Sequence, residues 1–245
     1  MIFISPERRF AAKPGNGVQY IPGHIDEFVD YINENLVPIS NSILDIGGGG
    51  LRFAVPVALK HKHITVIDED PTSLDISFIS KQINQVGKLK VNSHDLSKYI
   101  TPKLGNLFDI IPFDDTEYSL ITSFRVIHFM DPVSIVNFFE IVTKRLASKG
   151  IIAISAMTPF ISNTLNYNEL FLNSYNLSKD NELYREFKDT DEAIGIKQNQ
   201  NLPDTFHMID ENFIRNIADR YNLTTLAANV PSTRIVSGYI MQNKQ

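Results

Sequence analysis

The chain has 245 residues, 43% of them hydrophobic and 21% charged, which supplies a sizeable core and excludes disorder along the whole chain. The formal net charge of -5 excludes a basic nucleic-acid-binding surface spread over the whole molecule. The sequence has no cysteine, which excludes disulfides, thiolate metal ligands and a cysteine nucleophile. No apolar stretch reaches the roughly 18 residues of a membrane-spanning helix. We therefore expect a cytoplasmic protein with neither a membrane nor a nucleic acid as its partner.

Residues 1–37 are predicted to form an N-terminal arm and a cap helix. The arm, residues 1–23, is interrupted by prolines and glycines, which favour irregular structure. From Ile25 to Leu36, apolar residues recur at the three- and four-residue spacing of an amphipathic helix. Pro38 then ends that helix.

Residues 38–156 alternate between short apolar runs and segments with helical periodicity. The apolar runs predict five strands, at Ser42–Ile46, Ile64–Ile67, Leu89–Asn92, Tyr118–Phe124 and Ile151–Ser155. The clearest helical segments between them are residues 51–60, 76–86 and 132–146. Because strands alternate with helices, the pattern predicts a parallel sheet that is covered by helices on both faces.

Residues 157–206 have a different composition, rich in asparagine, leucine, tyrosine and phenylalanine and poor in β-branched runs. We interpret this segment as an insertion that covers the carboxyl edge of the sheet. Its two segments Asn163–Ser174 and Ser178–Lys188 are predicted helices, so the insertion is expected to be a helical lid over the substrate.

The last segment, residues 207–245, is predicted to complete the core. Apolar residues between Phe213 and Tyr221 recur at helical spacing. A closing pair of strands is expected after this helix, at Leu223–Val230 and Arg234–Met241, with a turn at Pro231 and Ser232.

The strongest functional signal is the run of four glycines at residues 47–50, between a predicted strand and a predicted helix. Glycine lets the backbone approach a ligand closely, and a helix N-terminus favours anionic groups. The spacing does not fit the G-x-G-x-x-G dinucleotide fingerprint, because Arg52 or Phe53 stands at the third glycine position. No lysine follows at the spacing of a phosphate-binding P-loop. The run instead fits D-x-G-x-G, with Asp45 as the acidic residue.

A second signal is Asp68, at the end of the next predicted strand and about 20 residues beyond the glycine run. A carboxylate at this position can accept hydrogen bonds from the two hydroxyls of a ribose. The two signals together predict a ligand of the nucleoside type at the carboxyl edge of the sheet.

With four later segments, these residues resemble class I S-adenosylmethionine (SAM)-dependent methyltransferases over roughly residues 40–156. Leu44–Gly49 is similar to the first motif of the family, and Val66–Pro71 to its acidic second motif. The later motifs are matched in order by His94–Leu96, Pro112–Ile121, Val126–Pro132 and Lys144–Gly150. The subgroup that the chain most resembles is the small-molecule, methyltransferase type 11-like one.

The resemblance implies a Rossmann-like α/β fold: a seven-stranded, mostly parallel sheet with an antiparallel last strand, helices on both faces and the helical lid insertion. It implies S-adenosyl-L-methionine as the cofactor and residues 38–156 as the core that binds it. The residues that it assigns to the cofactor are Asp45, Gly47, Gly48, Gly49, Asp68, Glu69, Asp95, Leu96, Ser123 and Tyr20.

The resemblance also implies roles within this set. The glycines are expected to approach the amino-acid part of the cofactor, and Asp68 to hold the ribose hydroxyls. Asp95 is expected to bind the adenine amine, with Leu96 beside the ring, and Asp109 competes with Asp95 for that contact. One departure is Leu51, which stands where the family usually has a third glycine. Its side chain is expected near the cofactor, which leaves open whether it weakens binding.

Methyl transfer from a sulfonium needs alignment and exclusion of water more than a covalent catalyst. A general base is required only when the acceptor atom carries a proton that must leave. The candidates for a direct catalytic role are Arg125, His128 and His207. For each histidine a structural role is the alternative, because His128 lies in an apolar stretch and His207 at the return from the insertion. No metal site is expected.

The sequence therefore predicts an enzyme that transfers a methyl group to an oxygen, nitrogen or carbon atom of a small molecule by in-line displacement. One alternative, motivated by Leu51, is a SAM-binding or regulatory protein without catalytic activity. Another is methylation of a protein or nucleic acid, for which the lysines between residues 81 and 103 are the place to look. The acceptor and the oligomeric state are not assigned.

Overall fold

The computed structural model describes residues 26–86, 90–158, 186–188, 205–207, 209–233 and 236–244. Tyr20, with the rest of the predicted arm, and most of the predicted lid lie outside the described residues. The predicted division into arm, core, lid and closing segment therefore stays a prediction.

Nine strands are described: β1 Ile43–Ile46, β2 Ile64–Asp68, β3 Ile100–Leu104, β4 Tyr118–Phe124, β5 Leu146–Met157, β6 Glu186–Lys188, β7 Thr205–His207, β8 Leu223–Thr233 and β9 Val236–Asn243. Seven of them form one sheet in the order β3-β2-β1-β4-β5-β9-β8. The first five in that order are parallel, and β9 runs antiparallel to β5 and to β8. This arrangement confirms the predicted seven-stranded Rossmann-like sheet. β6 and β7 form a separate antiparallel pair.

Seven α-helices are described: α1 Glu27–Tyr31, α2 Ala54–Leu59, α3 Ile76–Val86, α4 Ser93–Ser97, α5 Leu107–Ile110, α6 Pro132–Thr143 and α7 Glu211–Arg220. α1 continues into a π-helical turn at Ile32–Leu36. Short 3-10 turns lie at Gly49–Leu51, Pro71–Leu74, Ile111–Phe113 and Ile127–Phe129. None of the helices in the described ranges is long and apolar enough to cross a bilayer.

The central strand β1 is buried along its whole length, as expected for a parallel strand that is covered on both faces. Leu44 and Ile46 belong to an apolar core with residues of α6 and α7, whereas Ile43 belongs to a second core with residues of α1, α2 and α3. The strand–helix alternation in the sequence therefore produces a sheet between two helical layers.

The third strand is displaced from its predicted position. The sequence predicts it at Leu89–Asn92, but residues 90–92 are not a strand, and β3 begins at Ile100. Only Ile100 of this strand is buried. β3 is an edge strand, so it has little of the apolar character by which a buried strand is recognised, and it tolerates Pro102.

Two smaller predictions are also wrong. Residues 186–188 were expected at the end of a lid helix, and they form β6 instead. Pro231 and Ser232 were expected in a turn, but β8 continues through them to Thr233. The proline is tolerated because β8 is the other edge of the sheet.

Candidate functional site

A cavity of about 620 Å³ opens at the carboxyl ends of β1, β2, β3 and β4. Four segments that follow these strands line it: residues 45–49, 67–70, 105–108 and 124–126. β1 and β4 are neighbours at the point where the strand order changes direction, which is where open α/β sheets bind their ligands.

The glycine run packs too closely against neighbouring side chains to carry side chains of its own. At Gly47, φ is +68°, and an added Cβ would lie 2.3 Å from Val126 Cγ2. At Gly48, an added Cβ would lie 2.2 Å from Val66 Cγ1. Gly47, Gly48 and Gly49 all line the cavity, so that backbone without side chains forms part of its wall.

Leu51 lies in the left-handed region with φ +56°, a conformation that costs an L-residue with a side chain about 1–2 kcal/mol. Its side chain is fully buried in the core under α1, α2 and α3, and it does not line the cavity. The expectation that this side chain lies near the cofactor is therefore wrong. The fold keeps the left-handed turn of a glycine while placing a leucine side chain on the opposite side.

Asp68, the last residue of β2, lines the cavity. Its Oδ2 accepts the Gly49 N–H at 2.9 Å, and its Oδ1 accepts the Asp70 N–H at 2.9 Å. Burial raises the pKa of the Asp68 carboxyl, and the hydrogen bonds from Asp70 and Gly49 oppose that rise. Each carboxylate oxygen has a second acceptor site, so the group retains the capacity to accept a ligand hydroxyl.

Asn106 follows β3 and also lines the cavity, although the sequence analysis did not select it. Its Oδ1 caps α5 by accepting the Phe108 N–H at 2.8 Å, and its Nδ2 donates to Glu69 Oε1. The available signal was the asparagine just before the apolar pair Leu107 and Phe108, which is a helix-capping pattern. We refer to Asp68, Glu69 and Asn106 as the diol end of the cavity.

Asp45 lies on β1 at the floor of the cavity and is 2% exposed. Its Oδ1 accepts a hydrogen bond from Thr122 Oγ1 at 2.8 Å. Burial raises the pKa of the Asp45 carboxyl to about 7, although the Thr122 hydrogen bond lowers it. The negative charge of Asp68 adds to the rise. Both protonation states of this carboxyl are therefore populated near neutral pH.

A buried ion cluster lies at the β4 side of the cavity. Asp26, which caps α1, is 1% exposed, and its Oδ2 contacts Arg52 Nη2 at 3.0 Å and Arg125 Nη2 at 2.9 Å. Its Oδ1 accepts from Ser232 Oγ at 2.7 Å and from the Val29 N–H at 3.2 Å. Both arginines line the cavity. We refer to Asp26, Arg52 and Arg125 as the arginine end.

The architecture that carries this site has many solved counterparts. Magnesium protoporphyrin IX methyltransferase from Synechocystis PCC 6803, solved with bound S-adenosylhomocysteine (SAH), aligns at TM-score 0.56 and 12% identity, over 88% of this chain and 82% of its own. A SAM-dependent methyltransferase from Methanosarcina mazei aligns at TM-score 0.58 and 15% identity, over 82% of this chain and 92% of its own. The N-methyltransferase NodS from Bradyrhizobium japonicum WM9, solved with bound SAH, aligns at TM-score 0.52 and 12% identity, over 90% of this chain and 89% of its own.

The chain has the class I methyltransferase fold. Neither a comparison with family models nor one with curated proteins finds a match. In this fold, the cavity lies at the ends of the strands. The glycine run and Asp68 had indicated this position in the sequence.

The methyltransferase fold separates two predicted cofactor residues from the cavity. Asp95 lies on α4, its side chain is 63% exposed, and it pairs with Lys98 at 2.8 Å. Leu96 is buried in the core under the helices. Asp109 is exposed on α5. None of these residues lines the cavity, because the strand that they were expected to follow is displaced.

The catalytic candidates are also separated. Arg125 lines the cavity, whereas His128 does not. His128 is 3% exposed, and its Nδ1 is 3.4 Å from the N–H of Met157. Ser123, which was predicted to bind the cofactor, also does not line the cavity, and within the described part of the chain its buried Oγ has no hydrogen-bond partner. His207 ends β7, whose backbone lies close to the turn that contains His128.

The described residues contain no group of three or more histidine, cysteine, aspartate or glutamate residues that could hold a metal ion. The charged lining of the described cavity instead consists of five carboxylic acids and two guanidiniums. The acids are Asp45, Asp68, Glu69, Asp70 and Asp131, and the guanidiniums belong to Arg52 and Arg125.

Proposed function

We propose that this protein is a SAM-dependent methyltransferase that transfers a methyl group to a small-molecule acceptor. The observation that carries the proposal is the Asp68 carboxylate beside the glycine run, at a cavity of about 620 Å³ on the strand ends of a methyltransferase fold. Several structural neighbours act on small molecules. They include the magnesium protoporphyrin IX enzyme, a mitomycin 7-O-methyltransferase and an O-methyltransferase family 2 protein solved with apigenin.

The residues present fit the cofactor. Gly47, Gly48 and Gly49 line the cavity with backbone alone, and Asp68 offers acceptor sites for the two ribose hydroxyls. Asn106 replaces Asp95 as our candidate for the adenine contact, because it follows β3 and lines the cavity. Asp45 adds a negative charge when deprotonated, which favours a ligand that carries a cationic sulfonium or ammonium.

When it is bound, the cofactor supplies a methyl group that is already activated towards nucleophilic attack. The chain's own task is to hold the acceptor in line with that methyl and to exclude water. His128 packs its ring behind the lining residue Phe129 at a centroid distance of 4.2 Å and does not itself line the cavity. Because it is also buried, we assign it a structural role and not the role of a base. Leu51 no longer supports an inactive SAM-binding protein, because its side chain is buried away from the cavity.

The proposal includes a cytoplasmic location, which the absence of cysteine supports, and no nucleic-acid partner, which the net charge of -5 supports. Part of the lysine cluster named above is engaged in ion pairs. Lys98 contacts Asp95, and Lys103 contacts Asp114.

Calorimetric titration with SAH tests the cofactor, because SAH carries no transferable methyl group. We expect micromolar binding to the unmodified chain and 10- to 100-fold weaker binding to Asp68→Ala, since a hydrogen bond to a charged group contributes about 1.5–3 kcal/mol. Asp68→Asn should fall between them. Asp95→Ala is the matched control, because it removes an aspartate outside the cavity.

Two outcomes contradict the cofactor proposal: no SAH binding by the folded, unmodified chain, or equal loss of affinity in Asp68→Ala and Asp95→Ala. The acceptor class is tested separately by incubating the chain with SAM and a panel of small hydroxylated, amino and carbon-nucleophile compounds while measuring SAH release. SAH release that appears only with RNA or a protein would overturn the small-molecule assignment.

A further inference from the structure

We propose that the arginine end is a subsite for a carboxylate group of the bound ligand, with Arg52 and Arg125 as its donors and Asp26 as the residue that positions them. The inference rests on the proposed function, because it specifies what one side of the same cavity recognises. Three features carry it: the distribution of charge around the cavity, the engagement of the glycine-loop amides, and the geometry of the Asp26 contacts.

The charge around the described cavity is strongly divided. Four of the five lining acids, Asp45, Asp68, Glu69 and Asp70, lie at the ends of β1 and β2, and they repel an anionic group there. The fifth, Asp131, caps α6 and accepts hydrogen bonds from Ser134 with both oxygens. Among the described lining residues, only Arg52 and Arg125 carry positive charge. A ligand with both an ammonium or sulfonium and a carboxylate is therefore expected to orient its carboxylate towards these two side chains.

The N–H groups of Gly47, Gly48, Gly49 and Leu51 in the glycine loop are engaged inside the protein. The Gly47 and Gly48 N–H groups donate to the Ile67 carbonyl at 2.7 and 3.3 Å, and the Gly49 N–H donates to Asp68. The Leu51 N–H donates to the Gly48 carbonyl at 2.9 Å. An anionic group in the cavity can use these donors only by breaking bonds to β2 or within the loop. The guanidiniums are the alternative donors.

Asp26 holds the two guanidiniums at one point. Each Nη2 lies about 3 Å from the same oxygen, so the two Nη2 atoms are within about 6 Å of each other. A guanidinium carries five N–H donors in a fixed plane and matches the geometry of a carboxylate. Two of them at this separation can contact one carboxylate from both sides. Arg125 also has a left-handed backbone conformation, with φ +62°, directly after β4. Such a conformation is uncommon for a residue with a side chain and persists when the surrounding structure fixes it.

The positioning residue is itself fixed by three other elements. Asp26 caps α1 through the Val29 N–H and accepts from Ser232 at the end of β8. α1 is docked on the sheet by Phe28, whose ring occupies the space above Gly238, where an added Cβ would lie 2.2 Å from it. The direction of the two arginines therefore depends on how α1 packs on β8 and β9.

A carboxylate in this cavity has two possible sources, the amino-acid part of the cofactor or the methyl acceptor. The first test compares SAH with 5′-methylthioadenosine, which has the same adenosine and thioether but lacks the amino-acid part. If the cofactor supplies the carboxylate, Arg125→Gln and Arg52→Gln should each weaken SAH binding at least tenfold and leave 5′-methylthioadenosine binding within twofold. Arg125→Lys should lie between, because it keeps the charge and loses the planar fork.

The second test uses benzoate and its neutral analogue benzamide on SAH-saturated protein. If the acceptor supplies the carboxylate, the unmodified chain should bind benzoate more tightly than benzamide. Arg125→Gln should abolish that preference without changing SAH affinity. The control for both tests is Arg145→Gln, which removes an arginine of similar exposure, 22%, outside the cavity.

Asp26→Asn distinguishes positioning from a purely structural role. Positioning predicts that SAH binding weakens while 5′-methylthioadenosine binding is kept, whereas a structural defect weakens both ligands together. One result overturns the subsite. It is that folded Arg52→Gln and Arg125→Gln keep the preference of the unmodified chain for SAH over 5′-methylthioadenosine, together with any preference for benzoate over benzamide. If the unmodified chain binds neither SAH nor 5′-methylthioadenosine, the proposed function fails as well.

Discussion

The two ends of the cavity are built in different ways. The diol end consists of residues that directly follow β2 and β3, and its side chains are held by backbone amides within two or three residues or by a neighbouring loop. The arginine end brings together Asp26, Arg52, Arg125 and Ser232, which lie on four separate parts of the chain. The diol end is therefore local and faces solvent in part. The arginine end is more buried and depends on the packing of the whole domain.

This difference predicts a larger loss of stability when an aspartate is removed from the arginine end than from the diol end. Asp26→Ala should cost about 4–6 kcal/mol of unfolding free energy, because it removes a buried carboxylate that pairs with two half-buried guanidiniums and caps a helix. Asp68→Ala should cost only about 1–2 kcal/mol, since the Asp68 side chain is partly exposed and the substitution removes two hydrogen bonds from backbone N–H groups. Urea unfolding of the two variants measures both values. Similar losses of stability would mean that the diol end is as integral to the fold as the arginine end.

The same difference explains how much of the site could be predicted from sequence. Asp45, the glycines and Asp68 form a compact strand–loop pattern, and the structure places all of them at the cavity. The contact between Asp26 and the arginines has no counterpart in the sequence, because residues 26, 52 and 125 are brought together only by the tertiary fold. The functional roles of the residues at either end stay predictions.

The error at β3 has a different physical cause. An edge strand is stabilised by pairing on one side and exposes most of its side chains, so Ile100–Leu104 lacks the apolar run that identified the other strands. The fold class was still predicted correctly, because it depends on the buried strands β1, β2, β4 and β5. The predicted position of this strand also placed Asp95 at the carboxyl edge of the sheet, whereas the structure places Asn106 there.

Asp45 differs from Asp26 in its hydrogen-bond partner: Asp26 contacts two arginines, whereas the Oδ1 of Asp45 accepts from the neutral Thr122 hydroxyl. With a pKa raised from 3.8 to about 7, it binds its proton more tightly in the folded state than in the unfolded state. Its contribution to stability is therefore full below pH 4 and is lost as the pH rises to 7, by about 4 kcal/mol. Asp45→Asn should remove this dependence, so that the variant gains stability relative to the unmodified chain as the pH rises.

The measurement is the unfolding free energy of both proteins from pH 4 to pH 8, with Asp95→Asn as a surface control. A constant difference between Asp45→Asn and the unmodified chain across this range would contradict the assignment. If Asp45 also faces a cationic cofactor, SAH affinity of the unmodified chain should increase with pH over the same interval, because the deprotonated carboxylate attracts the SAH ammonium.

The smallest effect concerns the turn that joins the glycine loop to α2. Leu51 has a left-handed backbone and a buried side chain, so Leu51→Gly and Leu51→Ala both lose core packing. They differ in the backbone: alanine keeps a left-handed strain of about 1–2 kcal/mol that glycine does not have, which exceeds the roughly 0.5–1 kcal/mol entropic cost of glycine. Leu51→Gly should therefore be the more stable of the two by up to about 1 kcal/mol. In an ordinary helix the order is reversed.

Thermal unfolding of the two Leu51 variants measures this order, and SAH titration measures whether the site is affected. Because the side chain points into the core under α1, α2 and α3, both variants are expected to bind SAH within twofold of the unmodified chain. Tighter binding by Leu51→Gly alone would show that the leucine restrains the loop from beneath. The diol end would then depend on core packing, as the arginine end does, and the distinction between a local and an assembled end would no longer hold.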